Sequence, residues 1–230
     1  MRMMVAFEKS AALRYVGHLD LMRTIQRALR RSGLPIKYSN GFNPHIRLSF
    51  AAPLSVGVAG KREMMEVPVE DGVEENDFLL KLNQVLPPSL TMVFARKIDD
   101  QFPTLMSLMA GSEYSITLPR SPETDAAISQ LEAFMTLKEY VTDRRTKSGE
   151  SPCDIRPFVK DARAETTPEE HRIFLTTLCN QAGALKPSLW LKSLFLFAGQ
   201  EPVDSVIYRE RMLALSPEGK LIPMEAYPNG

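Results

Sequence analysis

Arg23, Arg27, Arg30 and Arg31 follow one another at steps of four, three and one residue. On a helix such steps line guanidinium groups along one strip. Guanidinium forks match pairs of phosphate oxygens, and only Asp20 offers an acidic partner nearby. The strip is therefore a candidate track for a phosphate backbone; the competing reading is a solvated helix face paired with acidic segments elsewhere. Directly after it, Lys37-Tyr38-Ser39-Asn40-Gly41-Phe42-Asn43-Pro44-His45-Ile46-Arg47 interleaves cations, rings and amides in a turn-forming stretch. That mixture holds single-stranded RNA: cations meet the backbone, rings stack on bases, and amides read base edges. Gly41 can take a positive φ and let another backbone approach. The alternative is a hairpin entry in which Tyr38 and Phe42 belong to the core. The RNA-binding set is thus Arg23, Arg27, Arg30, Arg31, Lys37, Tyr38, Asn40, Gly41, Phe42, Asn43, His45 and Arg47.

His18 and His45 lie at element boundaries, where a side chain is accessible yet held. A metal-independent ribonuclease needs a base for the 2′-hydroxyl, and a histidine near its reference pKa suits that task. Lone histidines are more often caps or hydrogen-bonded core residues, so catalysis by this pair is an alternative and no catalytic residue is assigned. His171 receives no role. Cys153 and Cys179 have neither a second cysteine nor a histidine close by in sequence, which leaves a zinc or iron–sulfur site without ligands; two reduced structural thiols are expected. Walker-type loops, Gly-x-Gly-x-x-Gly, His-Glu-x-x-His and Gly-x-Ser-x-Gly are missing, and no cofactor is expected.

The elements that would carry these groups can be read by period. Met3–Leu13 is strand-like, and His18–Ser32 is a helix with Leu21, Met22, Ile25, Ala28 and Leu29 on one face. Asp20 suits its first turn and Gly33 its C-terminal cap. Ile46–Phe50 alternates as a strand, with Glu63–Val69 as its hairpin partner. Asp77–Val85 is a second helix stopped by Pro87-Pro88, and Thr91–Ile98 a closing strand. This β-α-β-β-α-β order is the split βαβ, or ferredoxin-like, arrangement. After a linker at 101–111 the order returns. Tyr114–Leu118 is a strand, Ser121-Pro122 starts a helix through Met135, and Glu139–Lys147 and Arg172–Cys179 are strands. Pro187–Phe197 is a helix and Ser205–Leu215 the last strand. The expected fold is α+β: two tandem ferredoxin-like (βαββαβ) units with antiparallel sheets, at 1–100 and 112–215, and an irregular tail at 216–230. Arg144, Arg145, Lys147, Arg156, Lys160 and Arg163 are interspersed with acids and read as a salted surface. Trp190 reads as core.

The 230 residues are 44% hydrophobic and 24% charged, the composition of a globular protein. Formal net charge is zero, yet residues 1–62 hold eleven Lys/Arg against two acids, and residues 63–133 four against thirteen. Such a split suggests a polyanion-facing surface with acidic surface elsewhere. No apolar run approaches the roughly 18 residues of a membrane helix, and a charge interrupts the start before a signal-peptide core could form. A cytoplasmic protein without a membrane partner is expected.

Leu13-Arg14-Tyr15-Val16-Gly17-His18-Leu19-Asp20-Leu21-Met22-Arg23, then Arg27-Ala28-Leu29-Arg30-Arg31-Ser32-Gly33-Leu34-Pro35, resembles the radical-SAM-linked domain family. So do Tyr38-Ser39-Asn40-Gly41-Phe42-Asn43-Pro44-His45, Leu48-Ser49-Phe50, Pro53-Leu54-Ser55-Val56-Gly57, Asp154-Ile155-Arg156-Pro157 and Tyr208-Arg209. That bacterial family is found beside or fused to a radical SAM protein, and its genes often lie near those of an E/G-type ribonuclease and of ribosomal proteins. The resemblance implies RNA work and a radical SAM partner, and brings no established catalytic residues. At the level of fold alone, the pattern also looks like the tandem ferredoxin-like CRISPR repeat-processing endoribonucleases, which does not fix function. The expected function is a non-enzymatic RNA-binding accessory module acting with a radical SAM partner. Its alternatives are a metal-independent endoribonuclease using His18 or His45, and a domain docking an acidic partner surface.

Overall fold

A computed structural model of the chain describes residues 1–146, 149–180 and 183–228. It is an α+β structure in which Arg2–Lys9 lies antiparallel to Val58–Pro68 and Leu90–Ile98, Ser49–Phe50 to Val58–Pro68, and Glu170–Asn180 to Met109–Pro119 and Val159–Thr166. The chain divides into two compact units, Met1–Met109 with Arg209–Gly230, and Ala110–Tyr208.

In the first unit, β1 (Arg2–Lys9) leads through a 3-10 turn at Ala11–Leu13 to α1 (His18–Arg31). Then come β2 (Ser49–Phe50), β3 (Val58–Pro68), α2 (Glu75–Asn83), β4 (Leu90–Ile98) and the short α3 (Leu105–Leu108). β1 lies between β3 and β4, and β2 pairs with β3. Alternation along β1 sorts its side chains. Met3, Val5 and Phe7 join Leu21, Ile25, Leu29, Leu48, Phe50 and Leu82 in one core under α1 and α2. Met4 and Ala6 join Met64, Phe102, Leu105, Met212 and Met224 in a second core on the opposite face. Both faces being buried is why β1 reads as an unbroken apolar run rather than an alternating one.

In the second unit, β5 (Met109–Pro119) is followed by α4 (Pro122–Ser129), α5 (Leu131–Thr136), the hairpin β6 (Val141–Thr146) and β7 (Gly149–Asp154), β8 (Val159–Thr166), β9 (Glu170–Asn180) and β10 (Gly183–Ala184). α6 (Pro187–Phe197) precedes β11 (Val206–Leu215), which enters the first unit at Arg209; β12 (Leu221–Pro223) pairs with β11. β9 pairs with β5, β8 and β10, whereas among the described residues β6 and β7 pair only with each other. Ser121 caps α4 in a reciprocal capping box with Thr124, and Pro122 occupies the first turn. Trp190 is fully buried, with Phe134 at 6.1 Å between ring centroids.

Several elements differ from the sequence expectation. The first strand stops at Lys9, and Ile46–Phe50 is strand only at Ser49–Phe50; before it the chain makes single bridges, Tyr38 to Ile46 and Ile36 to Val69. The helix read as continuous from Ser121 to Met135 breaks at Gln130. The polar stretch 149–170 contains β7 and β8, and the segment read as a linker carries α3 and the start of β5. The tail forms β12 and a 3-10 turn at Met224–Ala226, with Met224 fully buried. Twelve strands are described, four more than two four-stranded units supply. Lys147 lies outside the described residues. No described helix is long and apolar enough to cross a membrane.

Candidate nucleic-acid interface

α1 is strongly amphipathic: Leu21, Ile25, Ala28 and Leu29 are buried, while Arg23, Arg27, Arg30 and Arg31 are exposed. Asp20 sits in its first turn and Gly33, at φ +68°, ends it. Arg23 pairs with Asp20 at 3.2 Å, both side chains in water. Arg31 donates 2.8 Å to the Val85 carbonyl beyond α2, so its guanidinium is drawn off the strip. Among the described residues, Arg27, Arg30 and Arg47 make no ion pair. The strip is therefore Arg23, Arg27 and Arg30.

The 38–46 segment forms a closed turn. Tyr38 and Ile46 bridge, Ser39 N–H donates to the His45 carbonyl at 2.9 Å, and the Ser39 hydroxyl accepts from His45 N–H at 3.0 Å. That hydroxyl also shares a 2.8 Å hydrogen bond with His45 Nδ1. Gly41 at φ +119° turns the chain at the tip, where a side chain would be strained. Beside it Phe42 is wholly exposed, Tyr38 is exposed, and Asn40, Asn43, His45 and Arg47 are exposed too. Neither ring is core. Lys37 is half-buried and helps hold the Asp100 carboxyl below the usual carboxylate range, behind the larger effect of the N-terminal amine.

Two contacts fix this turn against α1. Gln26 Nε2 donates to the Ile46 carbonyl at 3.3 Å, and the His18 ring meets Phe50 edge-on at 5.0 Å. The eight helical residues between Gln26 and His18 span about 12 Å. The four extended residues from Ile46 to Phe50 span about 13 Å. The segment thus runs antiparallel to α1, which puts the Phe42 turn off the C-terminal half of the helix. Around the helix axis, Arg30 and Arg23 stand about 40° and 60° from Gln26, on the flank that meets Ile46, and Arg27 stands about 100° away. Of the two candidate bases, His18 is half-buried against Phe50, whereas His45 is exposed and oriented by Ser39.

The sequence reading missed a buried ionic cluster in the same unit. Lys9, Glu63 and Arg209 are 1%, 2% and 4% exposed. Arg209 forks onto Glu63, its Nε reaching Oε1 at 2.7 Å and its Nη2 reaching Oε2, and Nη2 also donates to the Ala52 carbonyl at 3.3 Å. Lys9 Nζ donates to the Val16 carbonyl at 3.0 Å. Burial pushes the Lys9 amine below its ordinary pKa, with Glu63 opposing and Arg209 reinforcing. The Glu63 side chain folds over Gly60, where any Cβ would lie 2.5 Å from its Cγ. The available signal was charge inside apolar strands, since a buried charge needs a partner. In the second unit the buried His171 bonds Thr166 Oγ1 at 2.8 Å and Asp125 Oδ1 at 2.6 Å. Arg120 also forks onto Asp125, and these partners hold its carboxyl below the usual range. His171 thereby ties α4 to the β8–β9 turn. Among the described residues, no group of three or more His, Cys, Asp or Glu is placed to hold a metal ion.

The curated proteins contain no match to this chain. A solved structure described as an unknown protein from Galdieria sulphuraria is similar over 90% of this chain and 95% of its own, at 12% identity and a TM-score of 0.27. A family model described as an uncharacterised protein conserved in bacteria, DUF2344, matches residues 2–187. That match takes in most of the first unit, the whole arginine strip with its turn, and most of the second unit; the chain belongs to the DUF2344 family.

Proposed function

We propose that the chain is an RNA-binding accessory module that acts beside a radical SAM partner, built on two ferredoxin-like units in tandem. The observation that carries the RNA reading is Phe42, a wholly exposed aromatic ring on a closed turn whose Ile46 end is bonded to α1, the helix that carries the three exposed arginines. An apolar ring held in water gains nothing for the fold, whereas a ring beside guanidinium groups suits a base with its phosphate. The ferredoxin-like reading is supported by the neighbour order β4-β1-β3-β2 in the first unit, and by β9 lying antiparallel to β5 and β8 in the second. The partner rests on the resemblance of the 13–57 segments.

Fluorescence anisotropy with short single-stranded RNAs, run alongside thermal unfolding, tests this. Phe42→Ala is expected to weaken binding about tenfold, within the 1–3 kcal/mol of one stacked base, and to leave the melting temperature unchanged. Unchanged affinity overturns the RNA reading. Incubation in EDTA serves as the catalytic control: 2′,3′-cyclic phosphate ends that disappear in His18→Ala and His45→Ala would replace the binder by a metal-independent endoribonuclease.

A further inference from the structure

Tyr15 is 70% exposed, and the Arg14 guanidinium lies over its ring at 4.7 Å from the centroid. It stands in the turn just before α1. Leu19, in the first turn of α1, is 58% exposed, and Val56 is 63% exposed. Tyr15 and Val56 come from two separate loops joined by the bond from Gly57 N–H to the Arg14 carbonyl, 2.8 Å. Both loops are pinned from below by the buried ionic cluster: Lys9 holds the Val16 carbonyl and Arg209 the Ala52 carbonyl. An exposed ring on so firmly held a backbone is presented at little entropic cost to a ligand.

Its position defines the ligand. Tyr15 lies off the N-terminal end of α1, and the Phe42 turn lies off the C-terminal half. Leu19 stands about 20° round the axis from Gln26, on the flank that carries Arg30 and Arg23. The two exposed rings thus stand toward opposite ends of α1, a helix about 21 Å long, with Arg23 and Arg30 on the flank between that also carries Leu19. Arg14 covers one face of the Tyr15 ring and adds a cation beside it.

We infer that Tyr15, backed by Arg14, is a second base-stacking platform, and that the ligand is an extended single strand of RNA lying along α1 with bases stacked at both ends. This rests on the RNA reading above and goes beyond it in strand length and in a second stacking platform. A strand shorter than the helix reaches one platform only, so affinity must depend on length through Tyr15.

Oligouridylates of four and twelve nucleotides, bound to the full chain and followed by anisotropy, test this. The wild type is expected to gain affinity from the tetramer to the dodecamer. Tyr15→Ala and Tyr15→Leu should each remove about tenfold of that gain, and Tyr15→Phe should retain it. The leucine variant keeps apolar bulk without a ring, so it separates stacking from packing if the alanine variant proves less stable. If Tyr15→Ala and Tyr15→Leu keep the wild-type gain while Phe42→Ala is weakened, the second platform is wrong and the RNA reading stands. If the wild type binds neither oligomer, the RNA reading fails first and this inference with it.

Discussion

Lys9 places a third charge beside a pair that is already balanced, since Arg209 forks onto Glu63 and Lys9 adds a buried positive charge. A base whose pKa is lowered by folding leaves the unfolded chain holding the proton more tightly. Folding stability then rises as pH climbs from the lowered value toward the ordinary 10.5. Lys9→Met removes that contribution, so the stability of wild type relative to the variant should increase between neutral and alkaline pH. Urea midpoints measured across that range check it; parallel curves would contradict it. Glu63→Gln should cost far more, about 3–5 kcal/mol, because it breaks a buried pair and leaves Arg209 uncompensated. At this scale the sequence was legible for exposed groups and opaque for buried ones. The arginine spacing predicted which side of α1 meets water, but nothing in the first ten residues names Glu63, 54 positions on, or Arg209 as the neighbour of Lys9.

α1 was readable to within one residue at its end because its apolar period, first-turn acid and terminal glycine all agree. Ile46–Phe50 was less so: its alternation is real, with Ile46, Leu48 and Phe50 buried, but those side chains pack under α1 while the backbone makes a ladder with β3 only at Ser49–Phe50 and a single bridge at Ile46. Alternation reports which side is buried, not whether a ladder forms. β4 shows a device invisible in sequence. It ends the described strand order of the first unit, and α2 shields its open edge. The Asn83 side chain donates to the Met92 carbonyl at 2.9 Å and accepts from its N–H at 2.8 Å, while Glu75 accepts from Lys97 N–H at 2.7 Å. Open edges invite pairing with other chains. Asn83→Ala is therefore expected to cost about 1–3 kcal/mol and to promote concentration-dependent association, read by unfolding and light scattering. A variant as stable and as monodisperse as wild type would show that the edge needs no cover.

Over the whole chain, the division of charge along the sequence is not the division made by folding. Residues 1–62 carry an excess of nine positive charges, but the first unit takes in acids from 63–109 and the returning 209–230 segment, giving seventeen Lys/Arg against fourteen Asp/Glu. Glu63 and Glu66 spend their charge inside, on Arg209 and Arg2. The α1 strip and its turn keep their exposed arginines. The C-terminal segment could not be placed by periodicity because its partners are far away in sequence. Met224 packs with Met4, Met64 and Met212, Tyr227 meets Phe102 edge-on, and Arg96 donates to the Tyr227 carbonyl at 2.8 Å. Deleting 216–230 uncovers that core face and should lower the melting temperature by several degrees, since losing one buried methionine alone costs about 2–5 kcal/mol. Unchanged melting would contradict the packing role of Met224. The most direct test of the polyanion surface is the salt dependence of RNA binding. A plot of log affinity against log salt should lose about 0.7 of slope per phosphate contact, so the triple variant Arg23→Gln, Arg27→Gln, Arg30→Gln should lose about 2, at unchanged melting temperature. A triple variant that binds RNA with the wild-type slope would contradict the account.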